Sequence, residues 1–207
     1  ERIDGLGRTL RLIAMLELER RAKHIAAILV APLVRAGITA NQVTLAGFVA
    51  ALPVALLLAV DWLIVGGIFL LLVSALDMMD GAVARARGEV TKFGAFLDST
   101  LDRYVEAAYY GGLIWRFLQR DDNLAVLACF IVLAGSIMVS YARARAEGLG
   151  LDGKVGILRR PERLILLGIA LLFGDFLLIP VLWIMAVVTN LTVVQRLLHV
   201  RAQTRGE

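Results

Sequence analysis

Long apolar stretches separated by short polar breaks organise this chain from about residue 40 onward. Runs of roughly 17 to 25 apolar residues mark membrane-spanning helices. Six segments fit: near 43–60, 62–83, 94–117, 123–142, 162–174 with the residues before it, and 176–195. The breaks are Asp61, ARARGEVTK, QRDDN, the long loop ARARAEGLGLDGKVGILRRPER, and Gly174-Asp175. Ahead of the first run, ERRAKHIAAILVAPLVRAG reads as an amphipathic helix in the interface plane, ended or kinked near Pro32. The pattern predicts an all-α integral membrane protein: six transmembrane helices plus an N-terminal interfacial amphipathic helix. Residues 1–18 form an N-terminal segment and 19–207 one membrane domain.

Composition agrees, since 59% of the 207 residues are hydrophobic and soluble domains fall well below that. Charge sets the orientation. With the N-terminus, the second and fourth loops and the C-terminus on one side, that side receives nearly every Lys and Arg, while the other holds only Arg116 and Arg120, beside Asp121 and Asp122. The positive-inside rule then puts both termini in the cytoplasm, in a multi-pass protein of the cell membrane. The net charge of +4 suits anionic headgroups and is not read as nucleic-acid binding. Cys129 is the only cysteine, which leaves no internal disulfide and no thiolate metal site. His24 and His199 read as interfacial side chains, and Trp62, Trp115 and Trp183 as interface anchors. No signal-peptide pattern is visible in the first residues.

The candidate chemistry lies in DMMDGAVARARGEVTKFGAFLDSTLD, residues 77–102. Asp77 and Asp80 are three apart at the end of the second run; Asp98 and Asp102 are four apart at the start of the third. Each pair is expected on one helical face, and antiparallel helices bring both pairs to one depth, just inside the cytoplasmic boundary. Four such carboxylates cannot all stay ionised unaided: they take up protons, pair with arginines, or bind divalent cations. An all-oxygen set without His or Cys suits Mg²⁺ or Mn²⁺, and two pairs could hold two ions clamping a phosphate. Gly81 and Gly94 open space for a ligand, Ala84 keeps a turn narrow, and Arg85 offers a planar fork to a diphosphate. Ionisable groups at this depth are functional candidates by default.

The spacing D-x-x-D-G-x-x-A-R, eight residues, G-x-x-x-D-x-x-x-D resembles the signature of the CDP-alcohol phosphotransferases, met by Asp77, Asp80, Gly81, Ala84, Arg85, Gly94, Asp98 and Asp102. The resemblance implies an enzyme that binds a CDP-linked lipid, lets an alcohol hydroxyl attack its β-phosphate, and releases CMP. It implies that Asp77, Asp80, Asp98 and Asp102 bind metal, that Asp102 also accepts the hydroxyl proton, and that Gly81, Arg85 and Thr91 contact the CDP moiety. ITANQVTLAGF resembles the family's entry to the first span, so Asn41 and Gln42 are expected at the nucleotide, with helix capping as their ordinary alternative. The family commonly forms homodimers, and Gly111-Gly112 could permit close packing, including between subunits.

The acceptor is read from the later cytoplasmic loop, rich in arginine and lysine, and from TVVQR in the last span. A phosphorylated acceptor needs such cations more than a neutral one does, though positive-inside topology alone also scatters arginines there. SYARARAE, RRPERL and TVVQR resemble the phosphatidylinositol-phosphate synthases of prokaryotes, which join CDP-diacylglycerol to 1L-myo-inositol 1-phosphate. That resemblance implies phosphate contacts from Arg143, Arg160 or nearby Arg163, and Arg196. The alternatives are sn-glycerol 3-phosphate as acceptor, CDP-archaeol as donor and, remotely, a divalent cation transporter, which would place polar groups toward both sides of the membrane.

Overall fold

The computed structural model describes residues 30–205. Seven helices lie whole within it: α1 (Ala40–Ala59), α2 (Leu63–Asp77), α3 (Asp80–Arg87), α4 (Lys92–Leu118), α5 (Asn123–Gly148), α6 (Arg160–Leu172) and α7 (Asp175–Gln203). The expected interfacial helix falls mostly outside the described residues. Its end is seen: residues 30–35 are helical, and the chain runs past Pro32 to stop at Gly37, whose φ of 75° turns it away.

Six spans were expected; four helices among the described residues are long and apolar enough to cross a membrane: α1, Leu63–Arg87 (α2 with α3), α5 and α7. The 27-residue α4 has the length but carries Asp98, Asp102, Arg103, Glu106 and Arg116. The 13-residue α6 rises only about 20 Å. The residues before it do not extend it, because 151–159 form a non-helical loop.

Helix ends follow local chemistry. Thr39 caps α1 through a reciprocal capping box with Gln42. Thr91 caps α4 by accepting from the Gly94 N–H. The second apolar run is broken at Met78-Met79, so Asp77 ends one helix and Asp80 begins the next. The two are therefore not on one continuous helical face as expected. Asp80 is held by the Thr44 hydroxyl and Asp77 by Arg160, so the two side chains turn to different elements.

The packing closes a ring: α1 lies on α4, α4 on α5, α5 on α7, α7 on α6, α6 on α2, and α2 on α1. Leu58, Leu70, Leu113, Leu167, Leu182 and Met185 are among the side chains that fill it. Outward faces carry Leu56, Phe69, Phe130 and Ile184, all exposed, as lipid contact requires. Backbones come closest where α1 meets α4: a Cβ on Gly112 would stand 2.3 Å from the Ala55 carbonyl oxygen, whereas one on Gly111 would meet nothing within 4 Å. Gly112 thus serves packing within the chain, whereas Gly111 is exposed.

At the end of the ring away from Asp77, four charges form a clasp. Arg116, 3% exposed, holds Asp61 and, at 2.7 Å, Asp175; Arg120 bonds the same two aspartates. The partners of Arg116 and Arg120 are therefore not Asp121 and Asp122, their sequence neighbours. The clasp joins the α1–α2 turn, the end of α4 and the start of α7. Partial burial pushes the Asp61 carboxyl up, but the hydrogen bonds and charges of Arg116 and Arg120 outweigh it, leaving its pKa below the ordinary 3.8.

Gly112→Leu should lower the melting temperature sharply or abolish folded protein, because overpacking costs about 1–3 kcal/mol or more. Gly111→Ala should be neutral or stabilising; equal damage from both would refute the close approach as the cause. A carboxylate with a depressed pKa stabilises above its ordinary pKa and loses that contribution as pH falls through the folded value. Asp61→Asn should therefore melt earlier than the parent chain at pH 7, and the gap should close as pH falls below the ordinary 3.8 and through the lowered pKa of Asp61.

Candidate functional site

At the opposite end of the ring, α2, α3, α4 and α6 bring their charges together. Asp77 closes α2, and Asp98 and Asp102 lie one turn apart on α4. One carboxylate oxygen from each of Asp77, Asp98 and Asp102 falls within 4.8 Å of the others. Asp80 sits beside Asp98, outside the mutual set of three: Oδ2 accepts from the Thr44 hydroxyl at 2.8 Å and Oδ1 from the Gly81 N–H.

Two cavities flank the trio. The first, of about 370 Å³, lies between the starts of α1 and α4 and the face of α3. Asn41, Gly81, Ala84, Arg85, Thr91 and Gly94 line it, as do Asp80 and Asp98. Six of the seven residues expected at a CDP group are thus gathered around one space. The seventh, Gln42, turns away, its side chain accepting from the Thr39 N–H at 2.9 Å; this is the capping alternative. The glycines keep the cavity open. A Cβ on Gly81 would meet the Arg85 guanidinium at 3.2 Å, and one on Gly94 would meet Asn41 Oδ1 and Thr91 Oγ1 at 3.0 Å.

The second cavity, of about 780 Å³, is walled by α4, α5, the 151–159 loop and the start of α6. It collects Arg103, Arg143, Lys154, Arg159 and Arg160 with Asp98 and Asp102, and Arg163 and Arg196 also border it. The loop reaches in because glycines let it lie close: a Cβ on Gly153 would stand 3.1 Å from the Arg143 Cα, and one on Gly156, with φ of 132°, would stand 2.4 Å from a Thr192 methyl. Ala95 and Asp98 line both cavities and form the wall between them.

The four arginines expected to hold an acceptor phosphate are placed unequally. Arg143 is half-exposed and pairs one helical turn along with Glu147 at 2.9 Å. Arg160 bonds Asp77 and, at 2.7 Å, Asp102. Arg163, 1% exposed, gives Nη2 to both oxygens of Glu106 at 2.7 and 3.0 Å and Nη1 to the Leu158 carbonyl. Arg196, also buried, donates to the carbonyls of Val155 and Val139. All four border the second cavity, and each also bonds a protein group: Arg143 and Arg160 at its rim and wall, Arg163 and Arg196 in buried positions.

Two participants escaped the sequence reading. Glu106 is buried and pairs with Arg163. Its signal was available, since Asp98, Asp102 and Glu106 recur every four residues along α4. Thr44 had no such signal: a hydroxyl in an apolar run points to no particular partner.

The trio's chemistry fits a divalent ion. All three donors are carboxylate oxygens, the ligand type of Mg²⁺ and Mn²⁺. An octahedral ion with ligands at about 2.1 Å spans about 4.2 Å across, so oxygens within 4.8 Å need only a small contraction.

Comparison with known proteins places the chain. Residues 37–198 match the family model for CDP-alcohol phosphatidyltransferases. The chain belongs to that family. Among CDP-alcohol phosphatidyltransferases, the phosphatidylinositol phosphate synthase of Mycobacteroides abscessus is 41% identical over 181 residues, 84% of this chain and 82% of the relative. The archaetidylinositol phosphate synthase of Pyrococcus horikoshii is 40% identical over 161 residues, 77% of this chain and 82% of the relative. The crystal structure of Mycobacterium tuberculosis phosphatidylinositol phosphate synthase with CDP-DAG bound superposes with a TM-score of 0.80 at 38% identity, covering 86% of this chain and 94% of that one. The same enzyme in complex with manganese and citrate gives 0.80 at 37% identity, covering 85% and 88%.

If the trio binds the ion, Asp98→Asn should weaken Mn²⁺ binding about tenfold or more, measured by electron paramagnetic resonance in detergent. Asp61→Asn, at the far clasp, should leave it unchanged. Equal loss in both would rule out the trio as the binding site.

Proposed function

We propose that this chain transfers a phosphatidyl group from CDP-diacylglycerol to 1L-myo-inositol 1-phosphate, releasing CMP, in phospholipid synthesis. The observation that carries this reading is the wall shared by two cavities. A diphosphate in the first and a phosphorylated alcohol in the second would meet at Asp98, beside Asp77 and Asp102. The names of the bacterial relatives and the CDP-DAG in a neighbour at 38% identity support the same donor and acceptor.

In this reading Asn41, Thr91 and the small residues Gly81, Ala84 and Gly94 shape the seat of the CDP group. The Arg85 fork binds its phosphate oxygens. Asp77, Asp98 and Asp102, with Asp80 from the adjoining cavity, hold Mg²⁺ or Mn²⁺, as one or two ions. A bound ion would neutralise the diphosphate and ease the departure of CMP. Arg143, Lys154, Arg159 and Arg160 draw the acceptor phosphate into the second cavity. Asp102 belongs to the trio and also lines that cavity, and it takes the acceptor's hydroxyl proton. The freed oxygen bonds to the lipid-bearing phosphorus, the bond from that phosphorus to the CMP oxygen breaks, and CMP carries the electron pair away. Six spans, with both termini and the site facing the cytoplasm, follow from counting α4 and α6 as spans beside the four apolar ones; the basic residues at the site end support that orientation.

A second reading keeps the chemistry and replaces the donor with CDP-archaeol, favoured by the 40% identity to the archaeal relative. CMP release in detergent with Mg²⁺ separates the choices. Turnover is expected with inositol 1-phosphate and not with sn-glycerol 3-phosphate; the reverse preference would reject the acceptor, and turnover with CDP-archaeol alone would reject the donor. Asp102→Asn should lower kcat by about 10²- to 10⁴-fold, and undiminished turnover would remove it as the base.

A further inference from the structure

The Arg160 guanidinium lies on carboxylates that a divalent ion also needs. It bonds Asp77 Oδ2 and reaches Asp102 Oδ1 at 2.7 Å, and both residues belong to the trio that offers oxygens within 4.8 Å. The other oxygen of Asp102 takes Arg103 at 3.2 Å. The Arg160 side chain, like that of Arg163, leaves one guanidinium nitrogen unbonded among the described residues. Its Nε has no hydrogen-bond acceptor among the described residues, the nearest carboxylate being Glu106 Oε1 at 3.7 Å. One turn along α6, Arg163 is fixed to Glu106. Arg160 itself begins the helix, directly after the 151–159 loop, and borders the second cavity.

We propose that Arg160 is a positioning residue that exchanges with the divalent ion: it leaves Asp77 and Asp102 as the ion arrives and turns its guanidinium to the phosphate of the acceptor in the second cavity. This rests on the function proposed above and adds a coupling to it. A guanidinium and a divalent cation compete for the same lone pairs and repel each other at this distance. Rotation about the side chain suffices for the exchange, because the cavity already borders the group. Departure of Arg160 frees one oxygen each of Asp77 and Asp102 for the ion. Ion and acceptor must then favour one another's binding, each by the same factor.

The test uses the full chain in detergent, with Mn²⁺ followed by electron paramagnetic resonance and inorganic phosphate as the acceptor surrogate. In the parent chain, saturating phosphate should tighten Mn²⁺ binding about fivefold or more. Arg160→Gln should bind Mn²⁺ about tenfold tighter without phosphate, the competitor being gone, and phosphate should no longer improve it. Arg160→Lys keeps a charge but cannot span both carboxylates, so it should fall between the two and recover part of the phosphate effect. The proposal is overturned if Arg160→Gln binds Mn²⁺ no tighter than the parent, or keeps the full phosphate effect. If Arg160→Gln does not fold, a lysine variant identical to the parent in both readings overturns it equally. No reading depends on turnover: an exchange seen without CMP release from any acceptor would sink the proposed function alone.

Discussion

Carboxylates drawn from two helices into one ion's reach repel one another, so positive charge must stand among them. Every other feature of the site end answers to that constraint. Asp77, Asp98 and Asp102 crowd within 4.8 Å, and the cations around them come from α4, from the 151–159 loop and from the start of α6. Breaking α2 from α3 spreads part of the burden, since one oxygen of Asp80 accepts from the Thr44 hydroxyl while the carboxylate stays beside Asp98. Pairing Glu106 with Arg163 spreads it further, because that buried carboxylate has its own dedicated partner. Removing one member of such a buried pair leaves an uncompensated charge, a far larger penalty than the pair's net worth.

The ring of helices turns this charge problem into a reaction geometry. Small residues hold space on the nucleotide side, where any larger side chain would strike Arg85, Asn41 or Thr91. Glycines in the loop let the basic segment lie on α5 and α7 on the other side. Helix length matters too. At 26 and 29 residues, α5 and α7 run about 39 and 43 Å, well beyond a hydrocarbon core of about 30 Å. Their ends carry Arg143 and Arg196 to the wall of the second cavity, which Asp98 and Asp102 also line.

Much of this was legible in the order of residues. Apolar length marked the starts of α1, α5 and α7 to within a few residues, and the offsets of Asp98 and Asp102 placed them on adjacent turns of one helix. The spacing of Gly81, Ala84, Arg85 and Gly94 pointed to residues that do line one space. What the pattern could not carry were the choices that depend on neighbours distant in the chain. Nothing near Arg163 in sequence announces Glu106 as its partner, and RRPER does not distinguish an arginine free to meet a ligand from one sealed into the protein. The break at Met78-Met79 was hidden because both methionines are apolar and the run reads straight through. Gln42 had two local roles open to it, and its distance from Thr39, three residues, favoured the cap.

The clasp of Asp61, Arg116, Asp175 and Arg120 has a mechanical consequence. It ties three parts of the ring at one end with charge-assisted bonds, while the opposite end is divided by two hollows. The tie is thus made at the end away from both cavities, and the helix ends around them are left joined through their own charges.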